Sequence, residues 1–259
     1  MRQQPLSPEQ KLRVIYRCWR YRFKSEVPSI RYVRHSDLRG RTLLDIGANR
    51  GVYSIYMSRA AGPEGKLISF EAQPELGAHL QSVKDSFGLT NMEIVNKGLS
   101  SDTGVLRMRR QRVGSGGASF HEDARDDLEE LDIPVITLDD YAESCSLDKV
   151  HFIKCDVEGH ELDVFKGGER LLSRDRPALL FECHQSEAEN GEIFRYLVDL
   201  GYDGYFFYVS PSDHANYLTK GRGKYVHYSE YANYEYVRPE ARHRNYVFLE
   251  RGKAPGFED

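Results

Sequence analysis

From residue 42 the chain alternates between short apolar runs and longer segments whose apolar residues recur every three to four positions. TLLDI (42–46), KLISFEA (66–72), NMEIVNKGLS (91–100), VHFIKCDVEG (150–159) and ALLFECH (178–184) have the near-continuous apolar character of strands buried on both faces. Between them, residues 52–61, 74–88, 137–145, the ELDVFKGGERLL stretch and 187–201 carry helical spacing, with Gly62-Pro63 and Gly88 as stop signals. YDGYFFYV and NYVFLER add two closing strands with only a loop between them, which predicts an antiparallel pair at one edge. The pattern is that of an α/β domain: a Rossmann-like, mostly parallel sheet with helices on both faces.

Three segments break this rhythm. Residues 7–22 predict a helix, with Ser7 as cap, Pro8 in the first turn and Gln10 completing a capping box. Leu12, Ile15, Tyr16 and Trp19 share one face, with Arg13, Arg17 and Arg20 largely elsewhere. This reads as a helix packed on the main domain; the alternative is a basic amphipathic helix touching a membrane surface or an anionic substrate. Residues 103–135 hold a Gly-Ser-rich stretch and then an acidic run, which fits an inserted hairpin, and 203–245 form a tyrosine-rich insertion. The expected organisation is an N-terminal basic extension over 1–40 and one domain over 41–259 carrying both insertions.

Charge sharpens this division. The 259 residues carry a net charge of -4, which argues against a general nucleic-acid binder. Residues 1–41 hold eleven Lys and Arg against Glu9, Glu26 and Asp37, a net of +8, so the remainder carries -12. No apolar stretch approaches the ~20 residues of a membrane span, and MRQQPLSPEQKLRVIY lacks the apolar centre of a signal peptide. Cys18, Cys145, Cys155 and Cys183 form no CxxC pair, so a cytoplasmic protein with reduced thiols is expected.

The chemistry gathers where strands end, which is where α/β sheets bind ligands. Asp45-Ile-Gly47-Ala48-Asn49-Arg-Gly51 closes the first strand with G-x-x-x-G rather than the G-x-G-x-x-G of a dinucleotide site. An aspartate would repel a pyrophosphate and attract an ammonium or sulfonium, so S-adenosylmethionine fits, with the glycines leaving room for the ligand to meet backbone amides. Phe70-Glu71-Ala72-Gln73-Pro74 ends the next strand, and Glu71 is placed to accept ribose hydroxyls. Asp156, Glu158 and Glu161 follow the 150–155 run. Asp156 is the first candidate for a general base or a carboxylate that orients the acceptor hydroxyl; Glu161 has the alternative of favouring a helix first turn. Glu182 and His184 close the following strand, and an imidazole there is poised near neutrality.

LLDIGANRGVYS, FEAQP, ITLDDY, IKCDVEGHE, FKGGERLL and P-ALLFECH, in that order over roughly residues 41–200, resemble the FkbM family of S-adenosylmethionine-dependent methyltransferases. The resemblance implies a class I methyltransferase fold of seven strands, the last antiparallel, and methyl transfer to a hydroxyl, often on a sugar or polyketide. It makes Asp45, Gly47, Asn49 and Gly51 the cofactor loop, Glu71 the ribose ligand and Asp156 with Glu158 the active-site rim. Ser119 and Asp139 match recurring family positions without an evident role. His184 stands where the family varies, so its role rests on its own chemistry.

The expected activity is O-methylation of a saccharide or glycoconjugate, with a polyketide or other small natural product as alternative acceptor and a non-catalytic cofactor-binding module as a further one. Tyrosines in 203–245, with Lys220, Arg222, Lys224 and His227, suit a sugar face and an anionic group; the bland alternative is that they cover the sheet edge. A divalent cation held by Asp156, Glu158 and His184 is compatible with the sequence but not required. A nucleic-acid methyltransferase lacks its stacking motif here, and a nicotinamide oxidoreductase is disfavoured by Asp45 and the glycine spacing.

Overall fold

The computed structural model describes residues 4–115, 117–120, 127–184, 191–209, 223–233 and 243–256. Helix α1 (Pro8–Arg20) starts at the expected capping box: Ser7 Oγ accepts from Gln10 N–H, and Gln10 Oε1 accepts from Ser7 N–H. It runs into a π-helical turn, Tyr21–Ser25, and then into α2 (Val27–His35). The alternating unit follows as β1 (Thr42–Ile46), α3 (Val52–Ala61), β2 (Lys66–Phe70), α4 (Pro74–Phe87) and β3 (Met92–Val95). Helix α4 has proline in its first turn and ends on Gly88 at φ 64°, a left-handed position that favours glycine. After β4 (Gly98–Leu99), β5 (Gly104–Arg110) and β6 (Glu129–Ile136) come α5 (Leu138–Ser144), β7 (Val150–Cys155), α6 (Glu161–Lys166), α7 (Glu169–Asp175) and β8 (Ala178–His184). The last described elements are α8 (Glu192–Asp199), β9 (Tyr202–Tyr208), β10 (Lys224–His227), a 3-10 turn (Tyr228–Asn233) and β11 (His243–Glu250).

The main sheet runs β10-β9-β11-β8-β7-β1-β2-β3. β3, β2, β1, β7 and β8 are mutually parallel, and β11 lies antiparallel between β8 and β9. The closing antiparallel strands are therefore present, with β10 added outside them as an eighth strand. The 91–100 run expected as one strand divides: β3 stays in the main sheet, while β4 joins β6 and β5 in a second sheet of three strands. β5 and β6 pair antiparallel, the inserted hairpin.

Strand alternation sorts side chains into two cores. Leu44, Ile46, Ile153, Cys155, Leu179 and Phe181 face α5–α8. Leu43, Leu67, Phe152 and Leu180 face α1–α4, joined by Val14, Ile30, Tyr32, Val33 and Leu38 from the N-terminal segment. Strand order reverses between β1 and β7, so the crevice beyond their carboxyl ends is where the fold leaves room for a ligand.

The N-terminal helix packs on the domain, but not by the face its periodicity suggested. Val14 is buried, and Cys18 and Tyr21 pack on the second core. Leu12, Ile15, Tyr16 and Trp19 point to solvent. An amphipathic pattern identifies an apolar stripe, not the side from which the rest of the chain approaches.

Candidate active site

Two open-mouthed cavities meet at the switch point, each enclosing part of the solvent in its mouth. One, of about 610 Å³, runs from Gly47 and Asn49 past Glu71, Ala72 and Gln73 to Met108, Phe120 and Glu158. The other, of about 720 Å³, lies between the loop after β1 and the N-terminal helix, lined by Arg17, Arg20, Arg50, Tyr53 and Lys154 among others. They share Gly47, Asn49 and Asp156, so Asp156 stands at their seam.

Both glycines of the first loop are left-handed, at φ 74° for Gly47 and 78° for Gly51. Backbone proximity, more than ligand access, explains Gly47: a Cβ there would sit 1.9 Å from the carbonyl oxygen of Asp156. At Gly51 a Cβ would meet Leu80 Cδ2 at 2.9 Å, so this glycine lets α4 approach, and it lines neither cavity. Ala48 lines the second cavity. Asn49 adopts φ 50° and turns its N–H onto Glu71 Oε2 at 2.7 Å. Glu71 also accepts from Gln73 N–H at 2.8 Å, so its buried carboxylate is pinned by two backbone amides where it borders the first cavity. Burial pushes its pKa up, against the pull of those amides.

Asp45 takes a different place from the one its motif suggested. It is fully buried, lines neither cavity, and accepts from Ser54 Oγ, to which Ser69 Oγ in turn donates. Its contact with the ligand space runs through Lys154, the cation that sequence reasoning missed. Lys154 Nζ lies 3.7 Å from Asp45, 3.3 Å from Asp156 and 3.2 Å from the Gly47 carbonyl oxygen, 5.0 Å from the centre of the Tyr53 ring. Burial works against the ammonium, but Asp156 and Asp45 outweigh it and hold its pKa above the ordinary lysine range. For Asp45, burial raises the pKa while Lys154 and Ser54 oppose the rise. β1 and β7 pair in the register Asp45↔Lys154, so the ion pair is a product of sheet pairing.

Other carboxylates surround this pair. Glu182 on β8 is pushed up to about 8, first by burial and then by Asp156 and Glu26. Glu26, also missed in the sequence, closes the N-terminal segment over the site: it accepts from Tyr53 Oη at 3.0 Å and from Asn245 Nδ2 at 2.9 Å. Burial raises its pKa, and Asp156 adds to the rise. Glu158, at φ 55° on the rim of the first cavity, shifts upward too, by desolvation and then Asp156; its side chain is open to solvent, which moderates the effect. Glu161 is structural: Oε1 accepts from Val157 N–H at 2.8 Å and ties the loop to α6. The His184 side chain lies outside the described residues, and its backbone ends β8.

The hairpin roofs the first cavity. Met108, Ser115, Ala118 and Phe120 line it. Arg110, 1% exposed, clamps the hairpin to α4 through Glu75 at 2.8 and 2.9 Å and to Gln73 Oε1 at 3.1 Å. Ser119 Oγ donates to the Glu158 carbonyl oxygen at 3.1 Å and so fastens roof to rim. Asp139 instead accepts from the N–H groups of Arg170 and Leu171 at the start of α7, away from both cavities. Among the described residues, no group of three or more His, Cys, Asp and Glu side chains is arranged to hold a metal ion.

The family model for the methyltransferase FkbM domain matches residues 45–203, which span β1 to the start of β9 and contain the site. The chain belongs to the FkbM methyltransferase family. The cofactor of this family, S-adenosylmethionine, fits the site: a pinned carboxylate at the end of β2 borders a cavity that pairs apolar surface from Ile46, Phe70, Met108 and Phe120 with polar groups such as Gln73 and Asp156. Among its relatives is the hexuronic acid methyltransferase AglP of Haloferax volcanii, 29% identical over 155 residues, covering 60% of this chain and 61% of that protein. The chain thus matches about three fifths of the length of that relative. Methyltransferase sdnD of Sordaria araneosa is 24% identical over 192 residues, 62% of this chain and 73% of its own. In architecture the FkbM-family chain resembles the crystal structure of Methyltransferase FkbM from Methylobacillus flagellatus KT, with a TM-score of 0.50 at 18% identity, covering 81% of this chain and 43% of that one.

Proposed function

We propose that this FkbM-family protein transfers a methyl group from S-adenosylmethionine to a hydroxyl of a saccharide. The observation that carries the reading is Asp156 at the seam of the two cavities, beside a buried lysine and below a hairpin roof. The first cavity takes the nucleoside, with Glu71 accepting from the ribose hydroxyls. Arg17 and Arg50, which line the second cavity, take the carboxylate of the methionine end. Burial and then the neighbouring Arg50 depress the pKa of Arg17, an arrangement that an incoming anion relieves.

S-adenosylmethionine, when bound, supplies the activated methyl group, so the protein's task is alignment, desolvation and proton removal. Asp156, held by Lys154, orients the acceptor hydroxyl. Glu182, which lines neither cavity, is pushed up to about 8 by burial and then by the charge of Asp156. Its ionised form is a stronger base than an ordinary carboxylate and takes the acceptor proton as the oxygen is methylated. The saccharide assignment is supported by the hexuronic acid named for the Haloferax relative. The described tyrosines of the 203–245 insertion add little to it: Tyr225 packs on Tyr32 and Phe207, and Tyr228 on Phe194. Lys220 and Arg222 lie outside the described residues.

The test pairs calorimetry of S-adenosylhomocysteine binding with methyl transfer from labelled S-adenosylmethionine to a panel of neutral and uronic sugars. Glu71→Ala is expected to weaken binding at least about tenfold. Asp156→Asn is expected to bind within a fewfold of wild type and to lose about a hundredfold of the transfer rate. A wild type that binds neither ligand, or an Asp156→Asn variant of normal rate, would overturn the assignment.

A further inference from the structure

The outward face of α1 and the following turn gathers five of the seven exposed large hydrophobic side chains among the described residues. Leu12 is 68% exposed, Tyr16 58%, Ile15 48%, and Trp19 and Phe23 45% each. Only Val105 and Val113 otherwise join them as exposed large hydrophobics among the described residues, so this surface is concentrated rather than scattered. The five positions step by three, four, seven and eleven residues from Leu12, which draws one continuous stripe along the helix. Along it, successive ring centroids of Tyr16, Trp19 and Phe23 lie 6.0 Å apart.

Cations border the stripe. Lys24 Nζ lies 5.2 Å from the Trp19 ring centre and the Arg22 guanidinium 4.9 Å from that of Phe23, so both charges are held at its edge. By helical spacing Arg13 and Arg20 share the flank of Lys24, with Arg13 also paired to Glu9, while Arg22 lies on the opposite flank. The segment as a whole is +8 in a protein of net -4. The opposite face is committed to the domain: Val14 is buried, Tyr56 Oη donates to the Cys18 carbonyl oxygen at 2.9 Å, and Lys11 sits over Phe87. The stripe therefore cannot turn inward without dismantling that packing.

We propose that α1 and the following turn dock on an anionic lipid surface, lying in its interface with the Leu12–Phe23 stripe inserted and the flanking cations on the headgroups. Aromatic residues whose polar atoms remain at the water boundary, bordered by Arg and Lys, match the chemistry of that interface. A second copy of the chain is the poorer occupant, because pairing stripe to stripe would bring the two sets of cations together. No helix among the described residues is long and apolar enough to cross a membrane, so contact through this face is peripheral. Because Arg17 and Arg20 of the same helix line the second cavity, docking sets that cavity beside the lipid surface. The proposal does not depend on methyl transfer, and its failure would leave the site reading untouched.

Trp19 is the single tryptophan of the chain, so its fluorescence reports on this face directly. The full chain is titrated with phosphatidylcholine vesicles with and without phosphatidylglycerol, alongside vesicle flotation. Expected are a blue shift and protection from acrylamide quenching only with the anionic vesicles, diminished by high salt. The exposed double substitution Leu12→Ser/Ile15→Ser is expected to weaken partitioning about tenfold or more while S-adenosylhomocysteine affinity stays unchanged. No Trp19 shift with anionic vesicles, equal binding to neutral ones, or an undiminished double variant overturns the proposal. So does a blue shift that grows with protein concentration in the absence of lipid, which would assign the face to a second copy.

Discussion

Lys154 stands alone as a cation in an apolar strand, VHFIKC, and its only apparent message in the sequence is that something must neutralise it. The structure supplies Asp45 in register on β1 and Asp156 one turn of loop away. That one ammonium does not offset the whole acidic cluster: against the pull of Lys154, burial and then the charges of Asp156 and Glu26 push Glu182 up. Its folded-state pKa near 8 lies above the ordinary glutamate value of about 4.3, so folding favours the protonated form. The contribution of Glu182 to stability therefore declines as pH rises from the ordinary carboxylate range through about 8, and Glu182→Gln is expected to remove this decline. Denaturant unfolding at about pH 6 and about pH 9 checks the sign: wild type should lose more stability across the interval than the variant. If Glu182 takes the acceptor proton, the transfer rate should rise through the same pH, and the inflection should vanish in Glu182→Gln. An unchanged inflection would return the base to Asp156, Glu158 or His184.

At the scale of elements, the β5–β6 hairpin depends on Arg110. Its guanidinium is buried, while Glu75 and Glu129 remain half exposed, so the clamp is partly screened. Arg110 holds Glu75 down to about 2, and that contribution is present above the ordinary glutamate range and is lost only as pH falls toward 2. Arg110→Ala is expected to cost about 1–2 kcal/mol in unfolding free energy. Its larger effect should be on the roof, a roughly tenfold weaker S-adenosylhomocysteine affinity seen by calorimetry, because Gln73 loses one of its ties to the hairpin. A stability loss without any change in affinity would show that the roof does not enclose the ligand. The hairpin itself was legible as an insertion around a Gly-Ser stretch. Its use as a roof was not, because Arg110 finds Glu75 only when the second sheet folds back over α4.

Across the whole molecule, the N-terminal segment is less separable than its composition suggests. Ile30 and Val33 are fully buried in the core facing α1–α4, and Glu26 reaches Asn245, 219 positions away in the chain. Deleting residues 1–40 should therefore expose that core and leave an aggregating or molten product, measured as lost near-ultraviolet circular dichroism and light scattering. A soluble, cooperatively folding truncation would show instead that the segment is an independent appendage. By itself the sequence determined the alternation of strands and helices, the strand ends where polar residues gather, and the family, because these follow from local periodicity and from motifs contained within a few residues. It also marked Glu71 and Asp156, which sit directly on such ends. Only the tertiary structure decided that Asp45 is sealed beneath Lys154, that Gly47 yields to the Asp156 carbonyl, and that the apolar stripe of α1 faces outward. Each of these depends on which distant backbone comes alongside, a pairing that no local pattern encodes.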